Sequence, residues 1–433
     1  MKVLGLDIGT TTISAVVVEK SVLLDRITCK NDSFLPSLHV WERIQSPEYI
    51  KETALDAVNT LLKKHPDVAR IGVTGQMHGI VYLDAEGIPV SPLYTWQDGR
   101  GNLPYQDGMT YVQYLSGFSG SPLATGYGLV THFYNAANGL VPKNAEKLCT
   151  IHDYIAMILA GKRVPVTDCT DGASLGFFDV KAHKFDVAAL KKLDMDTDLL
   201  PAVSHGCIGC FKDSPHIGVY AALGDNQASF LGATGGNRGA VLINVGTGGQ
   251  FSAFTEDFLQ CEGLETRPFP GSGYLLVGAS LCGGRAYALL ESFYRSIAEA
   301  CGCNISSCYE VMNKLLEAES TPQDLPVITP LFQGTRSDPT LRGSITNLSS
   351  DNFTPAHITW AMLEGMAKEL YGMYRIYLSA AANTPNTLVG SGNGLRKNRP
   401  FQEIVSRQFD LPITMSACEE EAAVGAALYA ASV

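Results

Sequence analysis

Positive charge is in deficit in this chain: 32 Lys and Arg face 43 Asp and Glu, a formal net charge of −11. Such a field repels a phosphate backbone and excludes nucleic acid as a general partner. No apolar run reaches the roughly 20 residues that a membrane span needs, so a membrane partner is excluded too. Paired cysteines are missing as well. The 11 Cys are scattered and odd in number, which suits free thiols in a reducing compartment better than a disulfide framework. The lone CxxC, Cys207-Ile208-Gly209-Cys210 beside His205, lacks the second pair that would complete a zinc set. With strand from the first residues and no leader segment to read there, a cytoplasmic location is expected.

What is present is concentrated in two short repeats. The chain opens on an apolar strand, Lys2 to Ile8, interrupted by one acid, Asp7, and followed by Gly9-Thr10-Thr11 and a second apolar run, Ile13 to Val18. Gly9 permits a tight turn. Thr10 and Thr11 offer N–H and hydroxyl donors to an anion, and Asp7 beside them suits a magnesium anchor. An ordinary hairpin with an incidental acid is the plain alternative. The pattern then recurs: Ala240 to Val245, Gly246-Thr247-Gly248-Gly249, and Gln250 to Phe254, with Asn244 where the first copy has Asp7. Two similar domains gripping one polyphosphate would explain the duplication.

Between the repeats, short strands end in polar loops and alternate with helices, an α/β pattern. Ser46-Pro47 reads as a helix start running to about Lys64, and Thr354-Pro355 as another running to about Ala380. Ile151 to Ala160 and Ala422 to Ala431 are further helices. The acids Glu419-Glu420-Glu421 before the last one read as a solvated face complementing the helix dipole. At 433 residues two domains are expected, 1–216 and 217–433, without a long linker.

Three constellations carry possible chemistry. Gly224-Asp225-Asn226 places an acid on a turn between strand and helix, suited to act as general base for a hydroxyl, or simply to cap the helix. Gly390-Ser391-Gly392-Asn393-Gly394 follows a strand and lets backbone approach a flat ligand such as a purine, though it matches neither the Walker nor the dinucleotide fingerprint. Gln76, Met77, His78, Trp96, Asp98 and Arg100 offer the amide, imidazole, carboxylate, guanidinium and aromatic groups that a polyol pocket uses. His78 and Trp96 could equally be core.

Taken together, these motifs resemble the FGGY carbohydrate kinases, over nearly the whole chain and in the family's order. Asp7 to Thr11 resembles the first phosphate motif, Asn244 to Gly248 the second, Gly390 to Gly394 the adenosine motif, and Gly224-Asp225-Asn226 the catalytic-Asp motif. Gly75 to Gly79 and Trp96 to Arg100 resemble the sugar-side loops. Details such as Gln97 in the Trp-Gln-Asp-Gly-Arg loop and Ile151-His152-Asp153-Tyr154 lean toward the sedoheptulose-directed subgroup. The resemblance implies an α/β fold of two ribonuclease-H-like domains, as in the actin, Hsp70 and sugar-kinase superfamily, around an interdomain cleft. It implies ATP and Mg2+, with phosphoryl transfer to a terminal sugar hydroxyl. Asp225 would be catalytic and Asp7 would anchor the metal. Gly9, Thr10, Thr11, Gly246, Thr247, Gly390, Ser391, Gly392 and Asn393 would hold the nucleotide. Gln76, Met77, His78, Trp96, Asp98 and Asp153 would hold the sugar. A homodimer is compatible with it. Xylulose or another ketose is the alternative substrate, and a non-kinase ATP clamp of the actin or Hsp70 type is the alternative class. One departure stands out: Gln333-Gly334-Thr335-Arg336 lies where many relatives carry Gly-Glu-Arg, and the chain is shorter than most such kinases.

Overall fold

A computed structural model describes residues 1–317, 322–335, 338 and 340–433. The chain divides into two compact units. The first comprises 1–237, 267–273 and 420–433, and the second 238–266 and 274–419. The boundary expected near residue 216 falls inside the strand Ser214–Tyr220, which pairs in parallel with Val68–Gly75 of the first sheet. The helix Asp225–Thr234 also belongs to the first unit, so the seam lies later and is crossed more than once.

Each unit is built on a mixed sheet. In the first, Lys2–Ile8 pairs antiparallel with Thr12–Glu19, which pairs antiparallel with Val22–Lys30; on its other side Lys2–Ile8 pairs in parallel with Val68–Gly75. In the second, Ala240–Val245 pairs antiparallel with Gly249–Thr255, which pairs antiparallel with Tyr274–Ser280; its other neighbour is the parallel strand Thr387–Ser391, followed by Ile413–Met415. Both expected hairpins therefore form, and the order of five strands is the same twice. The sheets carry seven and six strands. The extra members are short additions such as Leu223–Gly224, which lies beside Thr74 and Gly75.

The helices start where capping chemistry placed them. Ser46 accepts the Tyr49 N–H to open Pro47–Lys64, and Thr354 accepts the His357 N–H to open Pro355–Ala380. The C-terminal helix, Glu421–Ser432, is made of small residues for a steric reason. A Cβ on Gly425 would sit 1.7 Å from the Ala228 carbonyl oxygen, and one on Gly232 1.9 Å from that of Glu421. On the sheet beneath, a Cβ on Gly5 would sit 1.9 Å from the Ala423 carbonyl oxygen and one on Gly72 2.0 Å from that of Ala426. Backbone thus touches backbone on two sides of this helix, and the helix Asp225–Thr234 is locked to it.

Gly425→Ala should destabilise the protein by at least about 2 kcal/mol, although alanine is the better helix former by about 1 kcal/mol. Gly372→Ala, on the exposed face of Pro355–Ala380 with open space around it, should stabilise by about 0.5–1 kcal/mol. Chemical denaturation followed by circular dichroism checks both. Equal effects at the two positions would contradict the close-contact account.

Candidate functional site

In the first unit, three acids approach one another from three elements. Asp7 is the last but one residue of the first strand, Asp225 opens a helix after Leu223–Gly224, and Glu420 immediately precedes the C-terminal helix. All three side chains are half-buried. Burial, then the charges of Asp225 and Glu420, push the Asp7 carboxyl up to about 7. Burial also raises Asp225, while the charges of Arg267 and His152 and a backbone N–H pull it back. Glu420 accepts the Thr28 hydroxyl at 2.7 Å. The charges of Asp225 and Glu420 felt at a buried Asp7 fit a divalent cation there. The solvated-face expectation for the Glu419–Glu421 run is corrected for two of its members: Glu421 is buried, and Glu420 is half-buried with its charge felt at Asp7. The small residues that follow these acids were the signal.

The first turn and the polyol-type loops are one network. The Thr10 hydroxyl donates to Gln76 Oε1 at 3.1 Å and accepts Trp96 Nε1–H at 3.0 Å. Gln76 Nε2 donates to Gln45 Oε1 at 2.8 Å, and Gln45 Nε2 returns to the Thr10 carbonyl at 2.9 Å. Asn31 braces the Gly9 carbonyl at 2.8 Å. With the Thr10 hydroxyl engaged on both sides, anion donors in this turn are its backbone N–H groups and the exposed Thr11. Trp96 keeps 46% of its surface exposed, so an aromatic face stands open beside this network.

Met77 packs on the loop that carries Asp225: a Cβ on Gly224 would meet Met77 Cε at 2.7 Å. His78 adopts a left-handed backbone, φ 74°, and its ring stacks on Tyr127 at 4.3 Å. Its Nδ1 lies 2.7 Å from the Ser174 carbonyl, which can only accept, so Nδ1 carries the proton and Nε2 is the acceptor nitrogen. Strain of this kind in a non-glycine residue commonly marks a functional position.

Two of the residues expected at the sugar, Asp98 and Asp153, are buried in the fold. Asp98 is fully buried and accepts from Arg100 Nε at 2.7 Å, from Arg100 Nη2 at 3.1 Å and from the Arg43 N–H at 3.0 Å. Arg100 is itself buried, 4.3 Å above the Tyr94 ring. The pair braces the loop from beneath. Asp153 is 1% exposed, on the first turn of Ile151–Leu159. Burial and then the charge of Asp171 push its carboxyl up to about 8. Beside it His152 Nε2 lies 2.9 Å from Asp171 Oδ1. Burial drives His152 down and Asp171 well up from their ordinary values.

The second unit holds the other turn. Gly246 and Thr247 are exposed, and nothing lies within 4 Å of a Cβ built on Gly246. From behind, the Gly284 N–H donates to the Gly246 carbonyl at 3.0 Å and the Arg285 N–H to the Thr247 carbonyl at 2.9 Å. Gly390, Ser391, Gly392 and Asn393 come to the same strand end. Gly392, φ 82°, is required because a Cβ there would sit 2.5 Å from the Val245 carbonyl oxygen. Its freedom therefore serves contact with the second hairpin; Asn393 is the exposed member of the loop and Ser391 is buried. In the departing segment, Gln333 Oε1 accepts from Arg285 at 2.7 Å and Thr335 Oγ1 accepts the Asp338 N–H at 3.0 Å, while Arg336 lies outside the described residues.

Several relatives share this chain's length and layout. A sedoheptulokinase from Mus musculus is 28% identical, over 98% of this chain and 96% of its own length. A xylulose kinase from Staphylococcus xylosus is 25% identical, over 99% of this chain and 90% of its own. The crystal structure of a xylulose kinase from Rhodospirillum rubrum matches in fold, with a TM-score of 0.84 at 22% identity over 100% of this chain and 90% of that one. Residues 2–232 match the profile of the FGGY family of carbohydrate kinases, N-terminal domain, and residues 241–433 match that of its C-terminal domain.

A proton held by Asp153 in the folded protein is released on unfolding at any pH between the ordinary carboxylate value of 3.8 and about 8. Stability should therefore fall as pH rises through that window, by up to roughly 1.4 kcal/mol per pH unit from one such group. Asp153→Asn, which cannot ionise, should match the parent protein at pH 4 and exceed it at pH 8 in denaturant midpoint. An unchanged pH slope would rule out a protonated Asp153.

Proposed function

As the chain belongs to the FGGY family of carbohydrate kinases, we propose that it transfers the γ-phosphoryl group of ATP to the terminal hydroxyl of a ketose, with sedoheptulose and its carbon-7 hydroxyl as the preferred acceptor. The observation that carries this reading is the contact of Met77 with Gly224, which joins the polyol-type loop to the loop of Asp225. A nucleotide clamp needs no such junction, and the family assignment removes that alternative class.

Phosphoryl transfer asks the protein for positioning, charge stabilisation and a base. Asp225 is the general base. Burial raises its affinity for a proton, and Arg267 and His152 keep it from rising as far as burial alone would drive it. A base tuned in this way takes the hydroxyl proton more readily than an exposed carboxylate does. Gln76, His78 and the open face of Trp96 hold the sugar. The acceptor Nε2 of His78 takes one hydroxyl proton in a hydrogen bond, and the indole covers C–H surface. Asp7, with Glu420 behind it, would hold Mg2+, which supplies neutralisation of phosphate charge. The N–H groups of Gly9, Thr10 and Thr11, and those of Gly246 and Thr247, donate to phosphate oxygens. Gly390, Ser391, Gly392 and Asn393 lie against the nucleoside.

The choice of sedoheptulose rests on Gln97 and the His152-Asp153-Tyr154 run, and on the sedoheptulokinase relative having the higher identity of the two compared. Xylulose is the second reading, supported by the xylulose kinase relatives. A cytoplasmic site of action suits 11 cysteines of which none is in a disulfide. Among the described residues no helix is long and apolar enough to cross a membrane.

ADP release measured over a panel of ketoses should give sedoheptulose the highest kcat/KM, and a higher value for D-xylulose would overturn the substrate assignment. Asp225→Asn should lower kcat by about 10²- to 10⁴-fold while calorimetric ATP affinity stays nearly unchanged. Near-normal turnover in that variant would remove Asp225 as the base.

A further inference from the structure

His205 acquires metal-binding neighbours in the fold, and they are not the cysteines beside it in sequence. Cys207 and Cys210 are exposed, with the Cys207 thiol turned to the Gly209 carbonyl at 3.3 Å. Instead, the Cys169 sulfur and one ring nitrogen each of His183 and His205 lie within 4.8 Å of one another. The three residues come from three segments. Cys169 is the first residue of the helix Cys169–Leu175, His183 sits in the turn between Phe178–Asp179 and Lys184–Phe185, and His205 precedes the strand Cys207–Phe211. His183 holds a left-handed backbone, φ 50°, in that turn. Among the described residues no other group of three such side chains converges this closely.

A second observation points the same way. Asp168 is fully buried and its Oδ2 lies 2.7 Å from His205 Nδ1, while its Oδ1 accepts the Thr170 N–H at 2.9 Å and lies 3.5 Å from the Cys169 sulfur. A carboxylate on one ring nitrogen fixes the tautomer and makes the other nitrogen the lone-pair donor, which is the arrangement that orients histidine ligands of zinc. One thiol and two imidazoles are a borderline-soft donor set that suits Zn2+ over Mg2+ or Ca2+.

We propose that Cys169, His183 and His205 form a binding site for a divalent transition metal, Zn2+ foremost, with Asp168 orienting His205 and water in the fourth position. Binding releases the Cys169 thiol proton to solvent and forms a metal–sulfur bond, with no change of oxidation state. The site is separate from the residues that hold sugar and nucleotide. Its consequence is mechanical: Thr170, next to Cys169, accepts the Gly224 N–H at 3.1 Å, so a metal that pins this helix also pins the base of the Asp225 loop.

The test uses the full chain, stripped with chelator and titrated with Co2+ as an optical stand-in for Zn2+. Thiolate-to-cobalt charge transfer and tetrahedral d–d absorption should rise to one equivalent. Cys169→Ser should abolish the charge-transfer band, and His183→Ala, a change in a surface turn, should weaken affinity by about 10- to 100-fold. Zn2+ should raise the melting temperature of the parent protein and not that of His183→Ala. The Cys207→Ser, Cys210→Ser double variant should keep the full spectrum. Absence of the cobalt bands, an unchanged cobalt affinity in His183→Ala, or loss of the bands in the Cys207/Cys210 variant would each overturn the proposal.

Discussion

Backbone-on-backbone contact along the C-terminal helix is the constraint from which the site of the first unit follows. Gly5 and Gly72 on the sheet, Gly232 on the helix of Asp225 and Gly425 on the C-terminal helix each leave room for a carbonyl oxygen that any side chain would displace. Van der Waals contact at that range permits little sliding. The helix therefore reports the position of the sheet to Asp225 and to Glu420 at once. The packing behind Asp225 and Glu420 holds both within electrostatic reach of Asp7. Burial first, and then those two charges, raises the proton affinity of Asp7.

The same logic separates what was legible in the residues from what was not. The twin hairpins were legible because an apolar run, a Gly-Thr turn and a second apolar run are local signals, and both hairpins formed. Helix starts at Ser46 and Thr354 were legible for the same reason. The seam between units was not. It is crossed by 267–273 and again by 420–433, and only contacts distant in sequence decide that. Glu420 was read as solvated because charge runs generally are, and only the small residues after it hinted at burial. The burial of Asp98 and Asp153 was not legible, because composition announces a carboxylate but not the direction it faces. Arg100 holds the first, and the second is buried with the like charge of Asp171 near it.

Thr10 joins the parts the motifs had kept separate. It was expected as a phosphate donor, yet its hydroxyl lies between Gln76 and Trp96 and its carbonyl is held by Gln45, a residue with no motif around it. Loops assigned to sugar and a turn assigned to phosphate thus share one set of hydrogen bonds. A disturbance on either side reaches the other through groups that have no spare rotamer, since each amide already satisfies two partners.

The return of residues 420–433 to the first unit also sets an order of events during synthesis. A nascent chain of 237 residues can pair the first sheet and still expose the Gly5 and Gly72 bed, because the helix that covers it is nearly two hundred residues away from leaving the ribosome. The second unit, by contrast, emerges almost entire before that helix does. Vectorial folding is therefore inverted in this protein: the half translated first is the half completed last, and its uncovered groove is the surface a chaperone would meet.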